Sequence, residues 1–446
     1  MKRAFLPLLL ICFQASIAQE HTDILTPEEL REDADYYFRT LYTNHPDPYY
    51  YCPLREFEDI KNKIYSQLEK PMTKEQFLWI ICEINSCVDW HSIIHLHFHF
   101  PENWRNDLVH EKINLFPAVK IKKSKLFLAD NIKEDIIEIN GIQVSEILSN
   151  CHKYYNWTLP HEPNNWMIES WLTLLFHYKY KFKTPYKVKF SNSNKIKTIN
   201  SVSLDEFLKS NFGWFVNVRG AQKDNLDSLT MFSYKIYPAG SIGIFYMNTF
   251  DESYQDEFNN TLKKFTEEVN TLNIKYIFYD LSKNYGGNHL GCNALDIVKH
   301  DTVYYKRTEI ERRDAFNKKT DINEILLLPN FDSNIPSDRK LFVFQSLATR
   351  SNGDYFCRIV AENNLGVLIG ENTGEPTVAF SICYFYSMPN SKIEFKIATK
   401  LIDFSGYFDS ETLNPDIYWD IHHNREFTEK ELDDIIEYYK KHVQVK

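Results

Sequence analysis

Leu341–Gly374 reads LFVFQSLATRSNGDYFCRIVAENNLGVLIGENTG, and the order of its apolar and polar runs decides the fold class. Leu341, Phe342, Val343 and Phe344 form a short apolar run that breaks into Ala348-Thr349-Arg350-Ser351-Asn352-Gly353, after which Tyr355, Ile359 and Val360 recur at helical spacing. That pattern predicts a strand, a tight turn and a helix, followed by a second strand over Gly366-Val367-Leu368-Ile369-Gly370. Ser351 falls at the helix N-terminus, where it has two readings. One is an ordinary N-cap, a role serine fills very often. The other is chemical: free N–H groups and the positive end of the helix dipole gather there, so a hydroxyl at that point sits where an oxyanion would be stabilised.

Outward from this stretch the same alternation continues. Ile242 to Met247 predicts a strand, Glu257 to Asn270 an amphipathic helix, and Tyr276 to Leu281 a second buried strand. Strand-helix-strand succession implies parallel pairing and an α/β layered architecture. Thr428 to His442, with Leu432, Ile435 and Ile436 on one side, predicts a closing surface helix. The strand ending at Leu281 runs into Ser282-Lys283-Asn284-Tyr285-Gly286-Gly287-Asn288. Ligands in layered α/β proteins bind at the carboxyl edge of the strands, and paired glycines let backbone N–H groups come close to a substrate. By itself such a pair is more often a plain turn. Together with Ser351 it supplies two sources of oxyanion donors, the Gly286 or Gly287 amide and the Asn352 amide.

The N-terminal part has a different character. Thr26-Pro27-Glu28-Glu29 combines a Thr cap, Pro at the first helical position and a capping-box Glu. The helix it opens carries Leu30, Ala34, Tyr37 and Leu41. A second follows through Phe57, Ile60, Ile64 and Leu68, and a third is capped by Thr73 with Gln76 three residues on, so a small helical bundle is expected. Next come Asp89-Trp90-His91-Ser92 and a strictly alternating run, Ile93 to Phe100, that places His95, His97 and His99 on one strand face. Three such His side chains can ligate a metal, but no acid or Cys beside them completes a site, and an exposed polar face explains the alternation more simply. From about Asn114 to Lys197 the sequence is β-rich, with Asn140-Gly141 a tight-turn signal, and with helical patterns over Val144 to Tyr155 and Glu162 to Phe176.

Composition bounds the functional class. With 446 residues, 43% of them hydrophobic and only 13 Gly, the chain suits two or three folded domains. A net charge of -10 with no long basic run argues against a nucleic-acid partner. Lys2 and Arg3, the apolar Phe5 to Phe13 and the small-x-small Ser16-Ile17-Ala18 resemble a secretory signal over residues 1–18. No later run is long and apolar enough to span a bilayer, so no integral membrane segment is expected after signal cleavage. The mature chain would carry Cys52, Cys82, Cys87, Cys151, Cys292, Cys357 and Cys383. That odd, scattered set does not read as a disulfide framework, with a single bridge such as Cys82 to Cys87 left open.

Several motifs then align with one known family. Asp280-Leu281-Ser282-Lys283-Asn284-Tyr285-Gly286-Gly287-Asn288 resembles the Asp-Leu-Arg-x-Asn-x-Gly-Gly-Asn loop of the tail-specific (C-terminal processing) serine peptidases and their tricorn-core relatives, with Ser282 in place of the Arg. Thr349 to Gly353 is similar to their nucleophile motif, and Ile369-Gly370-Glu371-Asn372-Thr373-Gly374 to the stretch that follows it. Asp89-Trp90-His91-Ser92 is similar to the Asp-Gly-His-Thr of the secreted bacterial branch, with Trp90 for the Gly, and Asn414-Pro415-Asp416-Ile417 matches the Pro-Asp near the domain end. The resemblance implies an α/β fold: a layered ClpP/crotonase-like catalytic domain over residues 201–446, an N-terminal helical domain over 19–110, and a degenerate PDZ-like β-rich insert over 111–200.

The resemblance also implies Ser351 as nucleophile and His91 as general base. Where Ser-Lys members carry their Lys, this chain has Gly374-Glu375-Pro376-Thr377, so the Ser-His arrangement is the better fit, and His titrates near neutrality without special tuning. The orienting acid would be Asp409 by spacing or Glu411 by residue type. The implied activity is a secreted or periplasmic serine endopeptidase acting on a peptide or protein substrate, needing no cofactor and no metal, with the oligomeric state left open. Its rivals are an inactive peptide- or ligand-binding protein on the same fold and a metal-dependent hydrolase at the His95, His97, His99 face.

Overall fold

The computed structural model describes residues 24–89, 113–154, 165–193, 195–204, 206–207, 231–298, 303–312, 319–328, 336, 338–406, 410–421 and 426–442. Three helices open it: α1 (Pro27–Asn44), α2 (Leu54–Gln67) and α3 (Lys74–Ile81). Both expected capping boxes form, Thr26 with Glu29 and Thr73 with Gln76. The short strands β1 (Ile24–Leu25) and β2 (Met72–Thr73) pair beside them. α1 buries Leu30, Ala34, Tyr37, Phe38 and Leu41 on one face, and the same face buries Asp33.

Residues 119–199 form a mixed layer. Strands β3 (Val119–Lys122), β4 (Lys125–Leu128), β5 (Asn131–Ile139), β7 (Tyr186–Phe190) and β8 (Ile196–Ile199) pair antiparallel in that order, and β6 (Ile142–Gln143) folds back on β5. Asn140 and Gly141 connect β5 to β6 with φ of 50° and 87°. Two successive positive φ values are what a type I′ hairpin turn requires, and Asn-Gly adopts them readily. Helices α4 (Val144–Tyr154) and α5 (Asn165–Tyr178) cover this sheet. Their apolar residues and those of α1, α2 and α3 belong to one continuous core, which also takes in Met388, Ile393, Phe395 and Ile397 from farther along the chain.

The remaining chain contains a six-stranded sheet: β9 (Phe232–Tyr237), β10 (Ile242–Met247), β11 (Tyr276–Asp280), β14 (Lys340–Gln345), β15 (Gly366–Gly370) and β18 (Ile417–Tyr418), paired in the order β18-β15-β14-β11-β10-β9. Every pair is parallel except the antiparallel β9 edge. Parallel strands are buried on both faces, which is why these segments are almost continuously apolar. Ile277, Tyr279, Leu341 and Val343 face α6 (Gln255–Thr271) and α7 (Asn352–Glu362). Phe278, Phe342 and Phe344 face α8 (Glu429–His442) on the other side.

A second, antiparallel sheet was not anticipated from sequence. It consists of β12 (Val303–Arg312), β13 (Lys319–Leu328), β16 (Val378–Ser387) and β17 (Glu394–Asp403), in the order β13-β12-β17-β16. The β16–β17 turn docks on α1, where the Asp33 carboxylate accepts hydrogen bonds from Asn390 N at 2.8 Å and Ser391 N at 2.7 Å. The cysteines also depart from expectation. The bridge joins Cys52 to Cys87, whereas Cys82 is a buried thiol, because Cys82 points into the core from the end of α3. Among the described residues no helix is long and apolar enough to cross a membrane.

Candidate active site

β11 and β14 are parallel neighbours in register, Asp280 opposite Phe344, so the loops leaving their carboxyl ends emerge side by side. Hydrogen bonds lace the two loops together. Thr349 Oγ1 donates to Leu281 O at 2.8 Å, Ser346 Oγ to Ser282 O at 2.5 Å, and Arg350 N to Asn284 O at 2.9 Å. The Asn284 side chain braces the loop from within: its Nδ2 donates to Met247 O, and its Oδ1 accepts from Gly286 N at 2.7 Å.

Ser351 occupies the position before α7, yet it does not cap the helix. Its side chain makes no capping hydrogen bond, and its backbone lies at φ 49°, ψ -128°. An N-cap normally sits in the extended region. A positive φ at a residue with a Cβ is strained, and strain of this kind persists where surrounding structure enforces it. The turn therefore presents the hydroxyl instead of spending it on the helix end, which settles the local ambiguity of the sequence against capping.

Gly286, at φ 94°, passes directly under this turn, and Gly287, at φ 136°, packs against Phe250. A Cβ on Gly286 would lie 2.6 Å from Ser351 Cβ and 2.8 Å from Asn352 N, and one on Gly287 would lie 2.2 Å from Phe250 C and O. Only glycine allows that approach. Asn352 Nδ2 also bonds Gly287 O, tying the two loops at the front. Of the three expected oxyanion donors, Gly286 N is committed to Asn284. Among the described residues, Gly287 N and Asn352 N have no hydrogen-bond partner.

Behind Ser351 lies a buried set of charges. Arg350, Asp354, Arg358 and Glu375 are all nearly inaccessible, and Arg358 Nε pairs with Asp354 Oδ2 at 2.6 Å. Ser351 N donates to Glu375 Oε2 at 3.2 Å. Burial pushes the Glu375 carboxyl up to about 7, against the opposing pull of Arg350. Burial likewise raises Asp354 above the usual carboxylate range, with Arg358 opposing.

His91 and Asp409 lie outside the described residues, as do Trp90 and the His95, His97, His99 face. Glu411 is described: its side chain is exposed, and its carbonyl accepts from Thr377 N at 2.7 Å. That bond sets the Glu411 segment two residues from Glu375. Asp89, two positions before His91, is buried and holds His45 Nε2 at 2.8 Å. His45 Nδ1 accepts from Asp47 N at 3.1 Å, so that nitrogen carries no proton and the Nε2–H is the one donated to Asp89. The loop after His45 lies against the start of β16, with the His45 ring 4.4 Å from Phe380 and Tyr51 Oη donating to Val378 O. Tyr285 of the glycine loop packs on the N-terminal core. The N-terminal region thus abuts the glycine loop and the start of β16.

Residues 241–419, which contain both loops, match the family described as Peptidase family S41. Over this segment the chain is similar to peptidase family S41. S41 members are serine peptidases, so peptide-bond hydrolysis is the family chemistry and peptides or proteins are the substrate class. Solved structures that share the fold include two of CPAF. A CPAF mutant aligns with TM-score 0.56 and 11% identity over 93% of this chain and 97% of its own. Mature CPAF complexed with lactacystin aligns with TM-score 0.53 and 11% identity over 93% and 98%. A search of curated proteins returns no match. Two residues at the site carry no signal in the sequence. Glu375 lies in the Gly374–Thr377 stretch that lacks the Lys of a Ser-Lys peptidase, and nothing local marks it as a partner of Ser351. His45 is 44 positions from Asp89, a pairing without any local signal.

Proposed function

We propose that this chain is a serine endopeptidase of the cell envelope that forms an acyl-enzyme on Ser351. The observation that carries the proposal is the Ser351 turn itself, a strained conformation over Gly286 in which the hydroxyl makes no capping bond. The Ser351 Oγ attacks the scissile carbonyl, and His91 takes its proton and passes it to the leaving amine. The N–H groups of Gly287 and Asn352 receive the oxyanion, Asn352 from the positive end of α7. The buried His45–Asp89 pair two residues upstream supports His91 in that role, because it anchors the chain that leads to it. Asp409 or Glu411 would orient His91, and the bond from Thr377 N to Glu411 O supports an acid in this region. The Cys52–Cys87 bridge supports an oxidising, envelope or secreted location, since such bridges rarely persist in the cytosol.

A fluorophosphonate probe tests the assignment. Mature protein is expected to label at Ser351 and to lose the label in Ser351→Ala, with His91→Ala slowing labelling by roughly a hundredfold or more. Label that persists in Ser351→Ala would refute the nucleophile. Peptide binding without labelling or turnover would instead support a binding protein on this fold.

A further inference from the structure

The strained Ser351 turn needs something to hold it, and the side chain in contact with its amide is Glu375. Ser351 N donates to Glu375 Oε2 at 3.2 Å, while Gly353 N closes the turn on Arg350 O at 2.9 Å. The backbone around Glu375 is fixed on both sides. Gly374 N donates to Thr349 O at 3.0 Å, Thr373 N to Leu413 O at 3.0 Å, and Thr377 N to Glu411 O at 2.7 Å. A Cβ on Gly374 would lie 1.9 Å from Leu347 O, so this close seating depends on glycine. The Glu375 carboxyl is therefore delivered to the nucleophile turn by a rigid strap that also grips the Glu411 segment. Glycine loops and helix termini are the expected furniture of such a site; a buried carboxyl on the nucleophile's own amide is not part of the oxyanion or proton-transfer machinery.

We propose that Glu375 is a positioning residue, whose ionised carboxylate holds Ser351 in its reactive backbone conformation through the Ser351 N–H, with Arg350 balancing the charge. This rests on Ser351 being the nucleophile. An ionised acceptor makes a stronger bond to an amide than a neutral carboxyl does, so the hold tightens as Glu375 loses its proton. With burial placing that step at about 7, the reactivity of Ser351 rises with pH through a group separate from the general base. The groups facing Glu375 are Arg350 from the turn and Asp354, Tyr355 and Arg358 from α7. Tyr285 of the glycine loop acts on Arg350, and Arg307 of β12 on Tyr355. Asp354 opposes ionisation of Glu375, while Arg350 and Arg358 favour it.

Two variants separate hydrogen bond from charge. Glu375→Gln keeps an acceptor oxygen and the volume but cannot ionise; Glu375→Ala removes the acceptor. The full mature chain is followed by fluorophosphonate labelling rate between pH 5.5 and 9, by hydrogen exchange of the peptide covering residues 346–356, and by thermal unfolding. Glu375→Gln is expected to label at least several-fold more slowly at pH 8 and to lose the limb near pH 7, retaining only the limb of the base. Glu375→Ala is expected to exchange about tenfold faster in 346–356 and little elsewhere. A Glu375→Gln profile superimposable on wild type, or unchanged exchange in a folded Glu375→Ala, would overturn the proposal. Should Glu375→Ala fail to fold, the isosteric Gln variant decides. If wild type takes no label, the nucleophile reading fails separately. Exchange then judges the hold of Glu375 on the turn, with faster exchange supporting it and unchanged exchange refuting it.

Discussion

At the residue scale the site depends on backbone that lacks side chains. Gly286→Ala would place a methyl 2.6 Å from Ser351 Cβ at a φ of 94°, unfavourable on both counts. We expect a loss of about 2–4 kcal/mol in urea unfolding together with at least a tenfold loss of labelling rate; an alanine variant with wild-type stability would contradict this packing. Glu375 gives a pH dependence whose sign is fixed. Its folded value of about 7 stands above the ordinary 4.5, so its contribution to stability is complete below the unfolded value and is lost as pH rises through about 7. That displacement is worth on the order of 3 kcal/mol. Wild-type stability should therefore fall, relative to Glu375→Gln, between pH 5 and 8 in urea titrations, and a gap constant with pH would count against it. Burial thus makes the ionised, turn-holding form costly to the fold, a strain that functional sites tolerate. Ser351 and the glycine pair were legible in sequence because each is a local backbone signal. Glu375 and His45 were not, because their roles arise from partners 24 and 44 positions away.

At the scale of elements, the order of the strands follows from connectivity. β10, β11, β14 and β15 are short apolar runs, and helices α6 and α7 link the first pair and the last, so parallel pairing was expected and is found. In the β12–β13–β16–β17 sheet, β16 mixes exposed and buried positions without strict alternation, with Tyr384 and Phe385 exposed, so it carries no clear strand signal in sequence. Its β16–β17 turn carries the contact that holds α1. Asp33→Ala would leave the buried Ser391 N–H and the neighbouring Asn390 N–H without their carboxylate acceptor. A destabilisation of roughly 2–4 kcal/mol is expected, with faster proteolysis near residue 390. Equal proteolytic rates would show that the turn is held by apolar packing alone.

Across the whole molecule, the N-terminal helices and the β3–β8 sheet share one core with residues 388–397, so this part is packed onto the rest rather than strung beside it. The Cys52–Cys87 bridge closes a loop of sequence separation 35 near the chain that leads to His91. Reducing it should cost roughly 3–4 kcal/mol by loop entropy, visible as a lower unfolding midpoint in dithiothreitol that is absent in Cys52→Ala; an unchanged midpoint would contradict the bridge. The sequence by itself determined the helical caps, the parallel α/β sheet, the Asn140-Gly141 turn and the two loops at its carboxyl edge. Each of these is written in residues a few positions apart, where capping, periodicity and glycine's freedom act directly. Tertiary structure decided which cysteines pair, that Ser351 does not cap its helix, that Gly286 N is already bonded, and that Glu375 lies on the nucleophile's amide. These depend on segments distant in sequence meeting in space, where burial and hydrogen-bond competition outweigh any local preference.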